Sequence, residues 1–352
     1  MKGNSIDHST DLILDNVTFA DDAQVLSLSA ASPRLIRALA ERVEHIDVYD
    51  MSHAALAALT PDETIHLHHT VFSTAENAYD IAVLFVPKGR DLARAQIWSA
   101  HRALKPDGTL LIAGPTKGGA KSVISDAEVI FGNANTLAYR KSHRVGTARK
   151  TEQGLTTYPA MWGDDPTHVQ QRDYDTPMGP LTVATMPGVF SWQSLDDGTR
   201  TLLDHVDFST FSGQHVLDIG CGVGVMGLLA AKHAAHVTLT DDNLLAVRCT
   251  ASSLTHHSIT NAQAIAGDVY APVHGQTFDL ILSNPPFHKH FDVNTNVAGR
   301  IIANAPDYLN RGGRLIMVAN AFLPYRKAME TVFTSVAEVV KTNRYVVLEG
   351  TV

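Results

Sequence analysis

His215-Val216-Leu217-Asp218-Ile219-Gly220-Cys221-Gly222-Val223-Gly224 is the stretch that decides the fold. Its first five residues form a short apolar run broken by Asp218 and read as a buried strand. Glycines at alternate positions then let the backbone bend tightly and approach a ligand closely. A helix is expected beyond Gly224, running through Ala231, with unpaired N–H groups at its start. Strand, glycine loop and helix in that order predict an open α/β sheet, which places ligands beyond the carboxyl ends of its strands.

Further strands are expected over Val237 to Asp241, Gln263 to Asp268, Phe278 to Ser283, Arg314 to Val318 and Arg344 to Leu348. Three carboxylates close the first three strands of this half. Asp218 can accept hydrogen bonds from a cationic amino group. Asp241 stands about where a carboxylate meets a ribose diol, and Asp268 can accept from an adenine amino group. Gly222-Val223-Gly224-Val225-Met226-Gly227 also satisfies the dinucleotide glycine pattern, so a nicotinamide cofactor stays open as an alternative. Against it, no hydride-transfer constellation is visible. Asn284-Pro285-Pro286-Phe287 follows the fourth strand, which two prolines must stop because Pro lacks the N–H a ladder needs. The Asn284 side-chain oxygen and the Pro285 carbonyl are acceptors that can grip both hydrogens of a planar amino group. Phe287 can cover the ring that carries it.

The first half repeats this order. Val25 to Asp50 lies over Val216 to Asp241 without a gap, Tyr79 over Phe278 and Gly108 over Gly313. The apolar framework is kept and the chemical residues are not. Ser27, Ser29, Ala31 and Pro33 stand where Asp218, Gly220, Gly222 and Gly224 stand, and Phe85 and Val86 where Asn284 and Pro285 stand. A duplicated sheet domain that has lost its cofactor site is therefore expected over residues 1–150. Residues 151–180, rich in Gly, Pro, Asp and Thr, read as a connector. Residues 181–352 form the second, catalytic domain.

The length of 352 residues suits two domains. The two cysteines form no metal-type pair and fit a reducing cytoplasm. No metal site, signal-peptide core or membrane-length apolar run is found. A net charge of −8 means that any contact with nucleic acid must use a local patch. The densest basic run holds Arg140, Lys141 and Arg144 and continues to Lys150; an RNA-phosphate contact and a solvated edge strand are both open for it.

Asn-Pro-Pro-Phe resembles the active-site motif of amino-group methyltransferases that use S-adenosylmethionine. The stretches Leu181 to Ser191, Asn284 to His288 and Val318 to Tyr325 together resemble the bacterial 16S rRNA guanine-N2 methyltransferase C family. That resemblance implies two tandem doubly wound, class I methyltransferase-like (Rossmann-like) α/β domains, the first degenerate. It implies S-adenosylmethionine as cofactor, near Gly188, Val189, Phe190 and Ser191. Asp218, Gly220, Cys221, Gly222 and Gly224 would cradle its amino acid part, Asp241 its ribose, and Asp268 with Val269 its adenine. Asn284, Pro285, Pro286 and Phe287 would be catalytic, with His288 beside them, and the partner would be rRNA in the small ribosomal subunit, met by a cytoplasmic monomer. A sister family acting on large-subunit rRNA shares the architecture, and Asn-Pro-Pro-Phe also resembles the motif of DNA adenine and release-factor glutamine methyltransferases.

Overall fold

The computed structural model describes residues 5–286 and 297–352. The chain divides into two units, Met1–His168 and Val169–Val352. The first unit runs α1 (Ser5–Asn16), β1 (Gln24–Ser27), α2 (Pro33–Ala40), β2 (His45–Tyr49), α3 (His53–Ala57), β3 (Ile65–His68), β4 (Tyr79–Phe85), α4 (Arg90–Ala103), β5 (Leu104–Pro115), α5 (Ala120–Phe131), β6 (Asn135–Arg140) and β7 (His143–Arg149). These strands form a seven-stranded sheet in the order β3-β2-β1-β4-β5-β7-β6. It is parallel through β5 and ends in the antiparallel pair β7 and β6.

The second unit starts with a hairpin, β8 (Gln170–Thr176) and β9 (Gly179–Thr185). It continues through α6 (Asp197–His205), β10 (His215–Ile219), α7 (Val225–Ala230), β11 (His236–Asp241), α8 (Leu244–His256), β12 (Ala262–Ala266), β13 (Phe278–Ser283), α9 (Val297–Tyr308), β14 (Leu309–Asn320), α10 (Tyr325–Met329), β15 (Ser335–Lys341) and β16 (Tyr345–Thr351). Its sheet order, β12-β11-β10-β13-β14-β16-β15, is the order of the first sheet.

The repeat holds at the level of register. Val25 pairs with Ile46 and Ile81, and Val216 with Val237 and Leu280. β5 and β14 bury the same positions along their whole length. Asp107 and Gly312 occupy the same place in these two segments, both with positive φ, 66° and 77°. The glycine after each is needed for space. A Cβ on Gly108 would lie 2.9 Å from the Lys105 carbonyl, and one on Gly313 2.7 Å from that of Asn310. In each unit apolar helix faces cover the sheet: Ile97 and Ile124 against Leu26 and Ile112, Ile301 and Ile302 against Leu217 and Leu315. Each such side chain contributes about 1.5–3 kcal/mol on burial.

The expected connector 151–180 is divided between the units instead. Residues up to His168 pack on the first through aromatic contacts: Trp162 lies under the Arg94 guanidinium at 4.3 Å, and Trp98 Nε1 donates to Asp165 at 3.1 Å. From Gln170 the chain alternates buried and exposed residues, with Tyr174, Thr176, Leu181 and Val183 inside. That period-2 pattern makes the β8–β9 hairpin, and Gly179 with φ 101° closes its turn. Gly and Pro content had masked it. Among the described residues no helix is long and apolar enough to cross a membrane.

Candidate active site

After β10 the chain turns through Gly220, Gly222 and Gly224 with φ of 72°, 58° and 83°. The Gly220 and Cys221 N–H groups donate to the Thr240 carbonyl at 2.8 and 3.0 Å, which ties the loop to β11. Asp241, at the end of β11, accepts from Gly222 N–H at 2.9 Å and Asn243 N–H at 2.8 Å. Burial pushes its carboxyl above the ordinary range, and these two N–H groups oppose the shift. Asn243 caps α8 through its oxygen and donates through its nitrogen to the Gly188 carbonyl at 2.8 Å. The segment 186–195 is thereby held over the glycine loop. Tyr174 donates to the Ser191 carbonyl at 2.5 Å, and Ser191 itself has φ 55°.

Asp218 is fully buried. Its Oδ2 accepts from Gly227 N–H at 2.9 Å, while Oδ1 has no hydrogen-bond partner among the described residues. Desolvation pushes its carboxyl up to about 7; the Gly227 N–H works against this and the Asp241 charge adds to it. Gly227, the last glycine of the dinucleotide-like pattern, is explained by packing. A Cβ there would lie 2.1 Å from Leu239 Cδ2. The thiol of Cys221 is buried, and burial together with the nearby Asp241 and Asp218 pushes its pKa up.

Asp268 follows β12 and is gripped at both oxygens by Arg300 of α9, at 2.5 and 2.6 Å. Val269, buried beside it, has φ 51°. A β-branched residue in the left-handed region is strained, and such strain gathers at functional sites.

Asn284, one residue past β13, sends Nδ2 to Asp196 Oδ2 and to Thr199 Oγ1, each at 2.9 Å. Its Oδ1 is buried and unpartnered among the described residues. Pro285 is buried and Pro286 exposed. Phe287 and His288 lie outside the described residues. A pocket brings together Phe190, Gly220, Cys221, Gly222 and Asn284 with Tyr174, Asp196 and Thr199. Asp218, Asp241, Asp268, Gly188, Val189, Gly224 and Val269 are not in that lining.

Sequence reasoning missed Tyr174, Asp196, Thr199, Asn243 and Arg300. Asp196 and Asn243 are helix caps, a type readable from Asp or Asn before a helical run. Nothing local says that Asp196 reaches a residue 88 positions away. Among the described residues no group of three or more His, Cys, Asp or Glu is placed to hold a metal ion.

The expected basic patch is largely paired within its own unit. Arg140 meets Asp15 at 2.9 Å, and Arg149 meets Asp107 at 3.1 Å. Lys150 caps the end of α4 through the Leu104 carbonyl at 2.7 Å. Arg144 stacks on Tyr139 at 4.7 Å. Lys141, at the tip of the β6–β7 turn, is exposed with φ 48°.

Residues 180–349 match the family described as Methyltransferase small domain, and residues 11–141 its N-terminal counterpart. Ribosomal RNA small subunit methyltransferase C of Yersinia enterocolitica is 31% identical over 352 aligned positions, covering 98% of this chain and 93% of the relative. The chain belongs to the ribosomal RNA small subunit methyltransferase C family. The protein of that name from Shewanella sediminis is 29% identical, with 95% of each chain covered. Among solved structures, a T. thermophilus 16S rRNA N2 guanine methyltransferase in complex with AdoMet and guanosine superposes with a TM-score of 0.86. It is 26% identical, with 98% of this chain and 91% of that chain covered. The two like sheets are thus the family's two methyltransferase-like domains, and the pocket lies in the one that matches the Methyltransferase small domain.

Proposed function

We infer that this chain transfers a methyl group from S-adenosylmethionine to the exocyclic N2 amine of a guanine in 16S rRNA. The observation that carries the reading is the Asn284 amide on the pocket lining, whose hydrogens are both occupied and whose buried oxygen has no hydrogen-bond partner among the described residues. A guanine amino group supplies the donors such an acceptor needs.

The residues present fit S-adenosylmethionine. Asp218 Oδ1, without a hydrogen-bond partner among the described residues, is an acceptor suited to a cationic amino group. Asp241 and Asp268 each keep lone pairs beyond those used by their present donors, and would accept from a ribose diol and an adenine amine respectively. When bound, the molecule supplies a methyl group on a sulfonium sulfur, which needs no metal. Asn284 Oδ1 and the Pro285 carbonyl hold the amine hydrogens so that its lone pair, otherwise delocalised into the ring, is free to attack. Phe287, outside the described residues, is read from the motif as the ring that would stack on the base, a contact worth roughly 1–3 kcal/mol. Positioning is the main catalytic contribution.

The first unit is read as a domain that binds no cofactor. Its loop after β1 is filled by local bonds: Ser29 Oγ and Ala30 N–H both donate to Asp50, at 3.2 and 2.6 Å, and Ser32 caps α2 against Thr10 of α1 at 2.7 Å. Its carboxyl edge carries Lys88 after β4, Lys117 after β5, Lys121 in the first turn of α5, and Lys141. All four are exposed and without an ion-pair partner among the described residues. The Thr116 N–H to Ser142 carbonyl bond, 2.8 Å, brings two of these segments together. This crest, in which only Lys141 is shared with the basic run of the sequence, is proposed as the surface that meets rRNA phosphates. Changing the four to Gln should flatten the salt dependence of RNA binding by up to about one unit for each phosphate no longer neutralised; an unchanged slope rejects the crest.

Nucleoside mass spectrometry of rRNA from cells lacking the protein tests the reaction. Loss of an N2-methylguanosine from 16S rRNA is expected. Loss from the large subunit instead, or an unchanged N2-methylguanosine content, rejects the reading.

A further inference from the structure

An amide can present either its oxygen or its NH2 group to a pocket, and a half-turn about its terminal bond exchanges the two at small steric cost. At Asn284 the choice is made by α6, an element far away in sequence. Asp196 Oδ2 and Thr199 Oγ1 both stand 2.9 Å from Asn284 Nδ2. An ionised carboxylate only accepts, so the group facing it must be a donor. The same Asp196 oxygen accepts from Thr199 N–H at 2.9 Å as the cap of α6, which holds the carboxylate still. The start of α6 packs against β16. A Cβ on Gly198 would lie 3.2 Å from the Tyr345 ring, and Asp197 pairs with Arg344 at 2.9 Å. What remains on this pocket-lining residue is the buried Asn284 Oδ1, without a hydrogen-bond partner among the described residues.

We propose that Asp196 and Thr199 are positioning residues that lock the Asn284 amide with its oxygen toward the acceptor base, so that the site admits a nucleobase edge presenting N–H donors and rejects one presenting a carbonyl. The proposal deepens the functional reading above and rests on it. With the amide reversed, two N–H groups would face the hydrogens of the incoming amine, and a buried donor would be left unpaired. The lock also explains why a helix cap lines the pocket at all.

The test uses the full-length protein and small-subunit particles from cells lacking it. Asp196→Asn keeps a good helix cap but offers Asn284 a donor as well as an acceptor, so both amide orientations become available. Single-turnover methyl transfer should fall about ten- to a hundred-fold, with the S-adenosylmethionine dissociation constant and the melting temperature unchanged. Thr199→Val should lower the rate and Thr199→Ser should keep it. The reciprocal pair, Asp196→Asn with Asn284→Asp, restores a donor opposite an acceptor and should exceed Asn284→Asp alone by about tenfold. A wild-type rate in Asp196→Asn overturns the lock and leaves the function standing. So does a rate loss matched by an equal loss of cofactor binding or stability, or the absence of reciprocal recovery. Inactivity of the wild-type protein on the particles overturns the functional reading, and the lock with it.

Discussion

The loop after β1 and the loop after β10 leave their sheets at one register, between equivalent neighbouring strands. Each is tied down by the aspartate at the end of the next strand. Asp50 accepts from Ala30 N–H at 2.6 Å and Ser52 N–H at 2.8 Å; Asp241 accepts from Gly222 N–H at 2.9 Å and Asn243 N–H at 2.8 Å. The difference lies in the loop itself. After β10 three glycines take positive φ, and two of them, Gly220 and Gly222, border a pocket; after β1 neither Ser29, Ala31 nor Pro33 takes positive φ, and Pro33 opens α2 directly. The same contrast recurs beyond the fourth strands, where Asn284 lines the pocket and its counterpart Phe85 is buried in the core. Burial preserves a sheet through duplication because every apolar position contributes to stability. A ligand site persists only where particular loop residues are kept.

The sharpest way to break this comparison is to remove its chemical end point. Asn284→Ala should lower single-turnover methyl transfer by about 10²–10³-fold while calorimetry still shows S-adenosylmethionine binding. Phe85→Ala should leave the transfer step alone and instead destabilise the fold by about 3–5 kcal/mol. If both changes altered only stability, the two positions would be equivalent after all.

The paired aspartates come next. Asp241→Ala should weaken cofactor binding about ten- to a hundred-fold, as expected for a lost charge-assisted hydrogen bond. Asp50→Ala should leave it unchanged, with one molecule bound per chain in either case. A second binding site lost in Asp50→Ala would show that the first unit keeps its site.

Gly224→Ala probes the loop backbone. Its φ is 83° and a Cβ would meet Thr250 Oγ1 at 2.9 Å, so a loss of about 1–3 kcal/mol is expected in denaturant unfolding. Pro33→Ala, at the matching position, should cost no more than about 1 kcal/mol. Equal costs would mean that the two loops are equally relaxed.

The smallest effect concerns Asp218, whose counterpart Ser27 carries no charge. Its folded pKa, raised to about 7, lies above the ordinary carboxyl value. The stability associated with its protonated form is therefore complete below about pH 4 and is lost as pH rises through about 7. Melting temperatures taken from pH 5 to pH 8 should fall less steeply in Asp218→Asn than in the wild type, and parallel curves would place the buried charge elsewhere.

The elements named from the sequence were found because their signals are local. Leu217, Leu239 and Leu280 belong to short apolar runs ended by Gly, Asp or Pro, and their strands form where expected. The hairpin Gln170–Thr176 with Gly179–Thr185 is hidden because the Gly, Pro, Asp and Thr around it read as a connector and outweigh a short alternation that carries Leu181 and Val183. The basic run was legible as charge, but its pairing was not. Asp15 and Asp107, which neutralise Arg140 and Arg149, lie 125 and 42 positions away.

By itself the sequence determined the duplication, the order of strands and helices, and the residue types at the carboxyl edges of the strands, since these follow from periodicity and from the backbone preferences of Gly and Pro. Tertiary structure alone decided which way those residues face. Asp218 is fully buried and accepts from Gly227 N–H, Asp268 is held by Arg300, and the Asn284 amide nitrogen is turned to Asp196 and Thr199. Such choices depend on hydrogen-bond partners brought together across tens of residues, and a side chain's orientation is settled by whichever partner the folded backbone places within about 3 Å.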